Sequence, residues 1–515
     1  MNNKICLLTL IVLISANIGY TQSNIVQIES GLLSGLNEDG SSVIAYKGIP
    51  YASPPVGDLR WKPPQPKLGW QGIYAADNFG PTCMQIPPPE GSFYHTEFYT
   101  LEEPKSEDCL YLNVWTNTKM YENERPVMVW IHGGAFSQGS GSMPTFNGQS
   151  FAEKGVVLVT INYRLGIFGL FAHPDLTEES KQNFSGNYGL LDQVAALKWI
   201  QKNIEAFGGD PNNVTIFGQS SGAGNINKLM TSPLTEGLFN RAILQSGNAY
   251  VFGETQTLEQ AENDGKAFMK EYDAASVEEL RDWPAEKLLE EGSKFSFHPN
   301  IDGWFLSDEP LKVFEKGGQH NIPVLLGSNS DEGSTLYGPK LNAEIFKNII
   351  NRSYGENAEK FLTLYPHKTD KQARNSFNKA WTDEMAWGSH TFARIHSQTK
   401  NVSTYLYFFD RIPPGRDSDR YGAFHSSEIA YLFNTLNTIE RPWTEVDRTL
   451  APKLQLYWIN FAKKGNPNGK DLTKWPVYNS KNRKVLKLGK QIEADVILRE
   501  DILKFYNNRF NDDIN

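Results

Sequence analysis

The chain has 515 residues, 39% of them apolar, 21% charged and 12% aromatic, with a formal net charge of −9. That composition fits a globular protein with a large core and excludes the low-complexity and disordered classes. With no basic patch to neutralise phosphates, nucleic acid is set aside as a partner.

The N-terminus reads Met1-Asn2-Asn3-Lys4, then an apolar run from Ile5 to Ile18. A basic start and a short apolar stretch read as a secretory signal peptide, residues 1–22, cleaved near Gln22. An uncleaved anchor would need a longer run, and no later segment has the length and purity of a membrane span. Residues 23–515 form the expected mature unit, secreted or periplasmic, without stable membrane insertion. Export leaves Cys83 and Cys109, and an isolated pair in an oxidising compartment forms one disulfide. Asn183, Asn213, Asn351 and Asn401 each begin a glycosylation sequon.

From about Pro126 onward, strand-like and helix-like runs alternate. Val127–Ile131 and Val156–Ile161 are short, continuous and β-branched, as strands buried on both faces should be. Leu191, Val194, Leu197, Ile200 and Ile204 fall on one face of a helix. Gly208-Gly209-Asp210-Pro211 is expected to end it. Val214–Phe217 is the next strand, and Ala223–Met230 the next helix. Ile322–Leu326 and Tyr405–Phe409 are later strands. Such alternation predicts a mostly parallel sheet with helices on both faces. Ile86–Glu103 and Tyr250–Asn300 read as long insertions at the rim, where pockets form beside the C-terminal ends of strands.

Between strand and helix lies Gly218-Gln219-Ser220-Ser221-Gly222. A Gly-x-Ser-x-Gly spacing occurs by chance in glycine-rich loops, but a strand before it and a helix after it make it a nucleophile elbow. Glycine tolerates the crowding of the tight turn, and the serine hydroxyl is thrust out near the positive end of a helix. Serine needs a general base, and the base needs an acid to hold its tautomer. Among nine histidines, His425 stands in a small-residue loop, Gly422-Ala423-Phe424-His425-Ser426-Ser427-Glu428, after a predicted strand. Glu332 stands in another such loop, Gly327-Ser328-Asn329-Ser330-Asp331-Glu332-Gly333. Asp331 is its local rival for the acid. The order Ser, acid, His is that of the α/β-hydrolases. His132-Gly133-Gly134-Ala135-Phe136, directly after a strand, has the form of a loop that aims bare backbone N–H groups at an oxyanion. The N–H of Ser221 would add a third donor.

With these stretches in place, the chain resembles the type-B carboxylesterases, the carboxylesterase/cholinesterase branch of the α/β-hydrolases. The resemblance spans nearly all of residues 23–515. It includes Tyr46-Lys47-Gly48-Ile49-Pro50-Tyr51-Ala52, Leu59-Arg60-Trp61, Ser106-Glu107-Asp108-Cys109-Leu110-Tyr111-Leu112-Asn113 and Asn162-Tyr163-Arg164. Gly189-Leu190-Leu191-Asp192-Gln193, Trp458–Ala462 and Gly465-Asn466-Pro467-Asn468 continue it. The resemblance implies an α/β-hydrolase fold with a large, mostly parallel sheet and long rim insertions. It implies Ser220, Glu332 and His425 as the triad, Gly133, Gly134 and Ser221 as the oxyanion hole, and Cys83–Cys109 as the family's first disulfide. Arg60, Asp108, Arg164 and Asp192 are expected in buried ion pairs rather than in chemistry. Ser246 resembles a buried serine that supports the site.

Departures from the cholinesterase pattern bear on the substrate. Tyr99 stands where that branch carries its choline-binding tryptophan, Thr335 and Leu336 replace two aromatic residues, and Gln219 replaces a glutamate. Each change removes π-surface or negative charge from a cation site. Phe295 and Phe297 fall where relatives line an acyl pocket, although core packing explains them equally well. The expectation is an exported serine esterase acting on a small-molecule ester of open acyl and alcohol size through an acyl-enzyme on Ser220, with no metal or organic cofactor. Its geometric requirement is one hydrogen-bonded line from hydroxyl to ring to acid. An amidase, thioesterase or lipase-like hydrolase is the alternative within the fold. A non-catalytic adhesion-type relative is disfavoured because every triad position is filled.

Overall fold

The computed structural model describes residues 24–512, except 39, 99–102, 118–123, 253–254, 337–339 and 399–401. The leader at 1–22, Tyr99 and Asn401 lie outside the described residues. The centre of the molecule is an 11-stranded sheet. In chain order its strands are β1 (Leu36–Asn37), β2 (Val43–Pro50), β3 (Tyr111–Asn117), β4 (Arg125–Ile131), β5 (Val157–Ile161) and β6 (Gly209–Gln219). There follow β7 (Arg241–Gln245), β8 (Val324–Asn329), β9 (Thr404–Phe409), β10 (Val485–Leu488) and β11 (Ile492–Asp495). In space the order is β11-β10-β9-β8-β7-β6-β4-β5-β3-β2-β1. Pairing is parallel from β5 through β10 and antiparallel at both flanks.

The continuous apolar runs have the meaning expected of them. Successive side chains of a strand point to opposite faces, and here each face has its own core. Val127, Val129 and Ile131 join one hydrophobic cluster, whereas Met128 and Trp130 join the other. Val157, Val159 and Ile161 against Leu158 repeat the division, as do Val324 and Leu326 against Leu325. Helices cover both sides. The Tyr188–Asn203 helix and the elbow helix, Ser221–Thr231, bury Leu197, Ile200, Ile226 and Leu229 in the first cluster. The Glu445–Lys464 helix buries Leu454, Tyr457, Trp458 and Phe461 in the second. Each such side chain contributes on the order of 1.5–3 kcal/mol by leaving water.

Two local expectations are corrected. The helix ends at Asn203, and a 3-10 turn, Ile204–Phe207, follows. Gly208 alone provides the left-handed stop, at φ 74°, so Gly209 already begins β6. Pro211 therefore lies inside the strand span. The ladder to β4 shifts register between Gly209 and Val214, which accommodates a residue with no N–H to donate. The second correction concerns charge pairing. Arg164 and Asp192 form the expected buried pair, with Nη2 to Oδ1 at 2.7 Å and Nε to Oδ2 at 2.8 Å. Arg60 is also in an ion pair, with Glu107 at 2.6 and 2.7 Å, but among the described residues no ion pair includes Asp108. The side chain of Asp108 is hydrogen-bonded to Tyr111 instead.

Cys83 and Cys109 are bonded, with Cα atoms 5.0 Å apart and a sequence separation of 26. Closing a loop of that length stabilises by about 3 kcal/mol in the chain-entropy account. The Cys83→Ser/Cys109→Ser double variant is expected to unfold at lower denaturant, with a free energy about 3 kcal/mol smaller. Chemical unfolding of both chains under non-reducing conditions checks this, and equal midpoints would refute it.

Candidate active site

The strand ends of the parallel region bring the candidate residues to one rim of the sheet. β4 and β6 are neighbours in register, with Gly218 opposite Ile131. The loop after β4 and the turn after β6 therefore leave side by side. Ser220 sits in that turn at φ 58° and ψ −127°, capping the elbow helix. Its glycines are required by contact rather than by dihedral. A Cβ on Gly218 would stand 2.5 Å from the Ile131 carbonyl oxygen, and one on Gly222 would stand 2.2 Å from it. Only bare backbone lets the turn approach β4 this closely.

The loop after β4 is held in an unusual shape. Gly134, Ala135 and Phe136 all have positive φ, at 116°, 54° and 59°. The Gly134 carbonyl accepts from the N–H of Ser137 and of Gln138, both at 3.0 Å. Phe136 N–H donates to Ser221 Oγ at 3.3 Å, so the serine hydroxyl after Ser220 ties loop to elbow. No backbone hydrogen bond among the described residues uses the Gly133 or Gly134 N–H. A Cβ on Gly133 would stand 3.1 Å from Ser220 Cβ, which places this glycine directly against the serine. His132 stacks on Tyr163 with ring centroids 4.4 Å apart, and its carbonyl accepts from the Tyr163 hydroxyl at 2.6 Å. Burial pushes its ring down to about 4, so it is neutral and structural.

Glu332 follows β8 and His425 follows β9. A parallel bridge between Asp331 and Phe424 aligns their loops. His425 Nδ1 meets Glu332 Oε2 at 2.5 Å. The other carboxylate oxygen accepts from Ser246 Oγ at 2.7 Å and from Asn329 N–H at 2.6 Å. Ser246 thus has the supporting place expected of it. Asp331 does not compete. Its carboxylate accepts from Ala423 N–H at 2.9 Å, Ser330 Oγ at 2.7 Å and Asn378 Nδ2 at 2.8 Å, and so stitches the two loops together. Behind the acid, Glu428 is buried and accepts from Asn329 Nδ2 at 2.6 Å and Gln245 Nε2 at 3.0 Å. Burial, reinforced by the nearby charge of Glu332, pushes its carboxyl up. Of the other histidines, burial pushes His390 down to about 4 and lowers His173, His320 and His396.

Ser220, His425, Gly133 and Gly134 share the wall of one cavity of about 270 Å³. The hydrogen-bonded line is half complete. Ring and acid are joined, but Ser220 Oγ makes no hydrogen bond among the described residues. Gln219 Nε2 lies 3.0 Å from His425 Nε2 instead.

The remaining wall is aromatic and aliphatic: Tyr94, Phe98, Phe146, Phe252, Met143 and Leu336 are its largest members. Among the described residues it holds no Asp, Glu, Lys or Arg. Gln219 and Leu336 are where the sequence places them. Thr335 does not line the cavity; its hydroxyl bonds the Tyr94 hydroxyl at 2.8 Å, and that hydroxyl also reaches the His425 carbonyl at 3.3 Å. Phe295 and Phe297 are not at the cavity either. They pack edge-on against Phe268, with centroids 5.2 and 6.1 Å away, and Phe297 also meets Phe171. An aromatic cluster of that kind is core. Of the rings that do line the wall, Tyr94 and Phe98 come from the first insertion and Phe252 from the second, while Phe146 comes from the 3-10 turn Pro144–Phe146. A short helix, Phe93–Glu97, capped by the Ser92 hydroxyl, presents the first two. Its N-cap serine was the one local signal in the sequence.

Comparison with known proteins decides what such a site belongs to. The model of the carboxylesterase family matches residues 22–506. The chain belongs to the carboxylesterase family. It is 36% identical over 493 residues to the para-nitrobenzyl esterase of Bacillus subtilis (strain 168), covering 92% of this chain and 96% of that one. It is 34% identical over 485 residues to the fumonisin B1 esterase of Sphingopyxis macrogoltabida, covering 90% and 86%. This carboxylesterase is therefore a carboxylic ester hydrolase with an α/β-hydrolase architecture. Among its described residues no helix is long and apolar enough to cross a membrane.

Proposed function

We propose that this carboxylesterase is exported and hydrolyses compact, uncharged esters through an acyl-enzyme on Ser220. The observation that carries the reading is the 2.5 Å contact of His425 Nδ1 with Glu332, beside Ser220 in a cavity walled by two free glycine N–H groups. With Nδ1–H committed to the carboxylate, Nε2 keeps its lone pair and serves as the base. Ser220 Oγ attacks the ester carbonyl carbon as Nε2 takes its proton. Negative charge gathers on the carbonyl oxygen, where the N–H groups of Gly133, Gly134 and Ser221 receive it at the positive end of the elbow helix. The tetrahedral adduct expels the alkoxide, which leaves as the alcohol with the proton from Nε2. Water then repeats both steps and frees the acid.

The cavity favours a neutral ester. Its wall offers aromatic and aliphatic surface and, among the described residues, no carboxylate to draw a quaternary ammonium, so choline esters gain little there. An aryl or benzyl ester of a short acid suits the volume, and benzyl esters are the class named for the Bacillus relative. Export is supported by the apolar leader and by the Cys83–Cys109 bond, which persists in oxidising compartments.

Treatment with a fluorophosphonate, followed by intact-mass and peptide analysis, is expected to give one adduct, on Ser220. A panel of acetyl, butyryl and decanoyl aryl esters with a choline ester is expected to favour the short aryl members at least tenfold in kcat/KM. An adduct elsewhere overturns the nucleophile, and preference for the choline or decanoyl ester overturns the substrate class.

A further inference from the structure

We infer that Gln219 is a positioning residue that occupies the base lone pair of His425 in the free enzyme and must release it before Ser220 can be activated. This rests on the proposed roles of Ser220 and His425. Glu332 is a carboxylate with Oε2 2.5 Å from Nδ1, so Nδ1 carries the ring proton and Nε2 can only accept. The group 3.0 Å from Nε2 is the amide nitrogen of Gln219, a donor. The pairing is therefore N–H to lone pair, and it uses the lone pair that the serine hydroxyl requires. Ser220 Oγ correspondingly has no partner among the described residues. Gln219 is buried, with 3% of its surface exposed. Its Oε1 stands 3.2 Å from the point a Cβ on Gly133 would occupy. The amide is thus wedged between the glycine loop and the ring, and bound substrate over Gly133 would press on it.

The same geometry has an electrostatic side. Once Nε2 is protonated, two donors face each other 3.0 Å apart, so Gln219 favours the neutral ring. Other groups pack around His425 from several elements. Glu332 lies on the acid loop, and Glu428 lies behind it through Asn329. Tyr94 from the Phe93–Glu97 helix reaches the His425 carbonyl, and the Phe252 ring lies 5.7 Å away. On the elbow helix Lys228 lies over Phe136. Of all these, only Gln219 contacts Nε2.

The test is a pH profile with two near-isosteric variants, each checked for a native melting temperature. Gln219→Glu puts a carboxylate beside Nε2, which favours the protonated ring. The acidic limb of its kcat/KM profile is expected to move up by at least one pH unit. Gln219→Met removes the competing donor. Its second-order rate of fluorophosphonate labelling on the pH plateau is expected to rise about fivefold, the usual net worth of one neutral hydrogen bond. An acidic limb within 0.2 unit of the parent in Gln219→Glu, or labelling in Gln219→Met no faster than the parent, overturns the inference. In either case an adduct still found on Ser220 leaves the esterase reading standing, whereas loss of that adduct in the parent enzyme removes both.

Discussion

Ser220→Ala is expected to lose at least about 10⁴-fold in kcat on an aryl acetate while folding as the parent does. The serine is a turn residue on the cavity wall, and its backbone carries the local structure. Its N–H donates to the Gln245 carbonyl at 2.9 Å, and its carbonyl accepts from Gly224 at 3.0 Å. Alanine keeps both bonds and tolerates the same dihedrals as serine. The substitution therefore removes one oxygen and nothing that holds the elbow. Residual turnover would come from the glycine N–H groups and from substrate binding, which are untouched. Steady-state kinetics with thermal unfolding of the same preparation checks the claim. Turnover within tenfold of the parent would mean that the nucleophile lies elsewhere.

The second large effect is expected at Glu332→Gln, with kcat falling by roughly 10³- to 10⁴-fold and KM nearly unchanged. The reason lies in how many donors converge on this carboxylate. Ser246 Oγ and Asn329 N–H donate to one oxygen, and His425 Nδ1–H donates to the other. A glutamine has one carbonyl oxygen and one amide nitrogen. If the oxygen serves Ser246 and Asn329, the NH₂ faces Nδ1 and the ring must move its proton to Nε2. The base lone pair then points at the amide, away from the serine. If the amide turns the other way, two buried donors confront an NH₂ group, which costs about 1–3 kcal/mol. Either arrangement disables the base without disturbing the cavity wall that binds the ester. A loss below tenfold would show that the ring needs no acid, and the assignment of Glu332 would fail.

The elements of this site were unequally visible in the sequence. The elbow and the glycine loop could be read because each carries a local physical requirement. Bare backbone must pass within van der Waals distance of β4, and only glycine at fixed spacing allows it. The acid and the base could be read as loops following predicted strands, since parallel strands deliver their C-terminal ends to one rim. The choice of Glu332 over Asp331 came from resemblance rather than from such a requirement. It took the bridge between the two loops, with Asp331 stitched to Ala423 and Asn378, to give the choice a physical cause.

The wall of the cavity was the part least legible. Phe295 and Phe297 carry the same side chain as Phe252, yet the first two face Phe268 in the core and the third faces His425. Nothing local separates them, because where an insertion folds back depends on every surface it meets. Glu107 rather than Asp108 entering the ion pair with Arg60 is the same problem at the scale of one residue.

The sequence by itself determined the parallel sheet, the sharp turn that exposes Ser220 and the bare amides of Gly133 and Gly134, because periodicity and glycine spacing act over a few residues. Tertiary structure alone decided which rings line the cavity, which carboxylate meets the histidine, and that Gln219 rather than Ser220 holds the free nitrogen. Those outcomes depend on distances between side chains far apart in the chain, and such distances are fixed only when the strands and insertions pack.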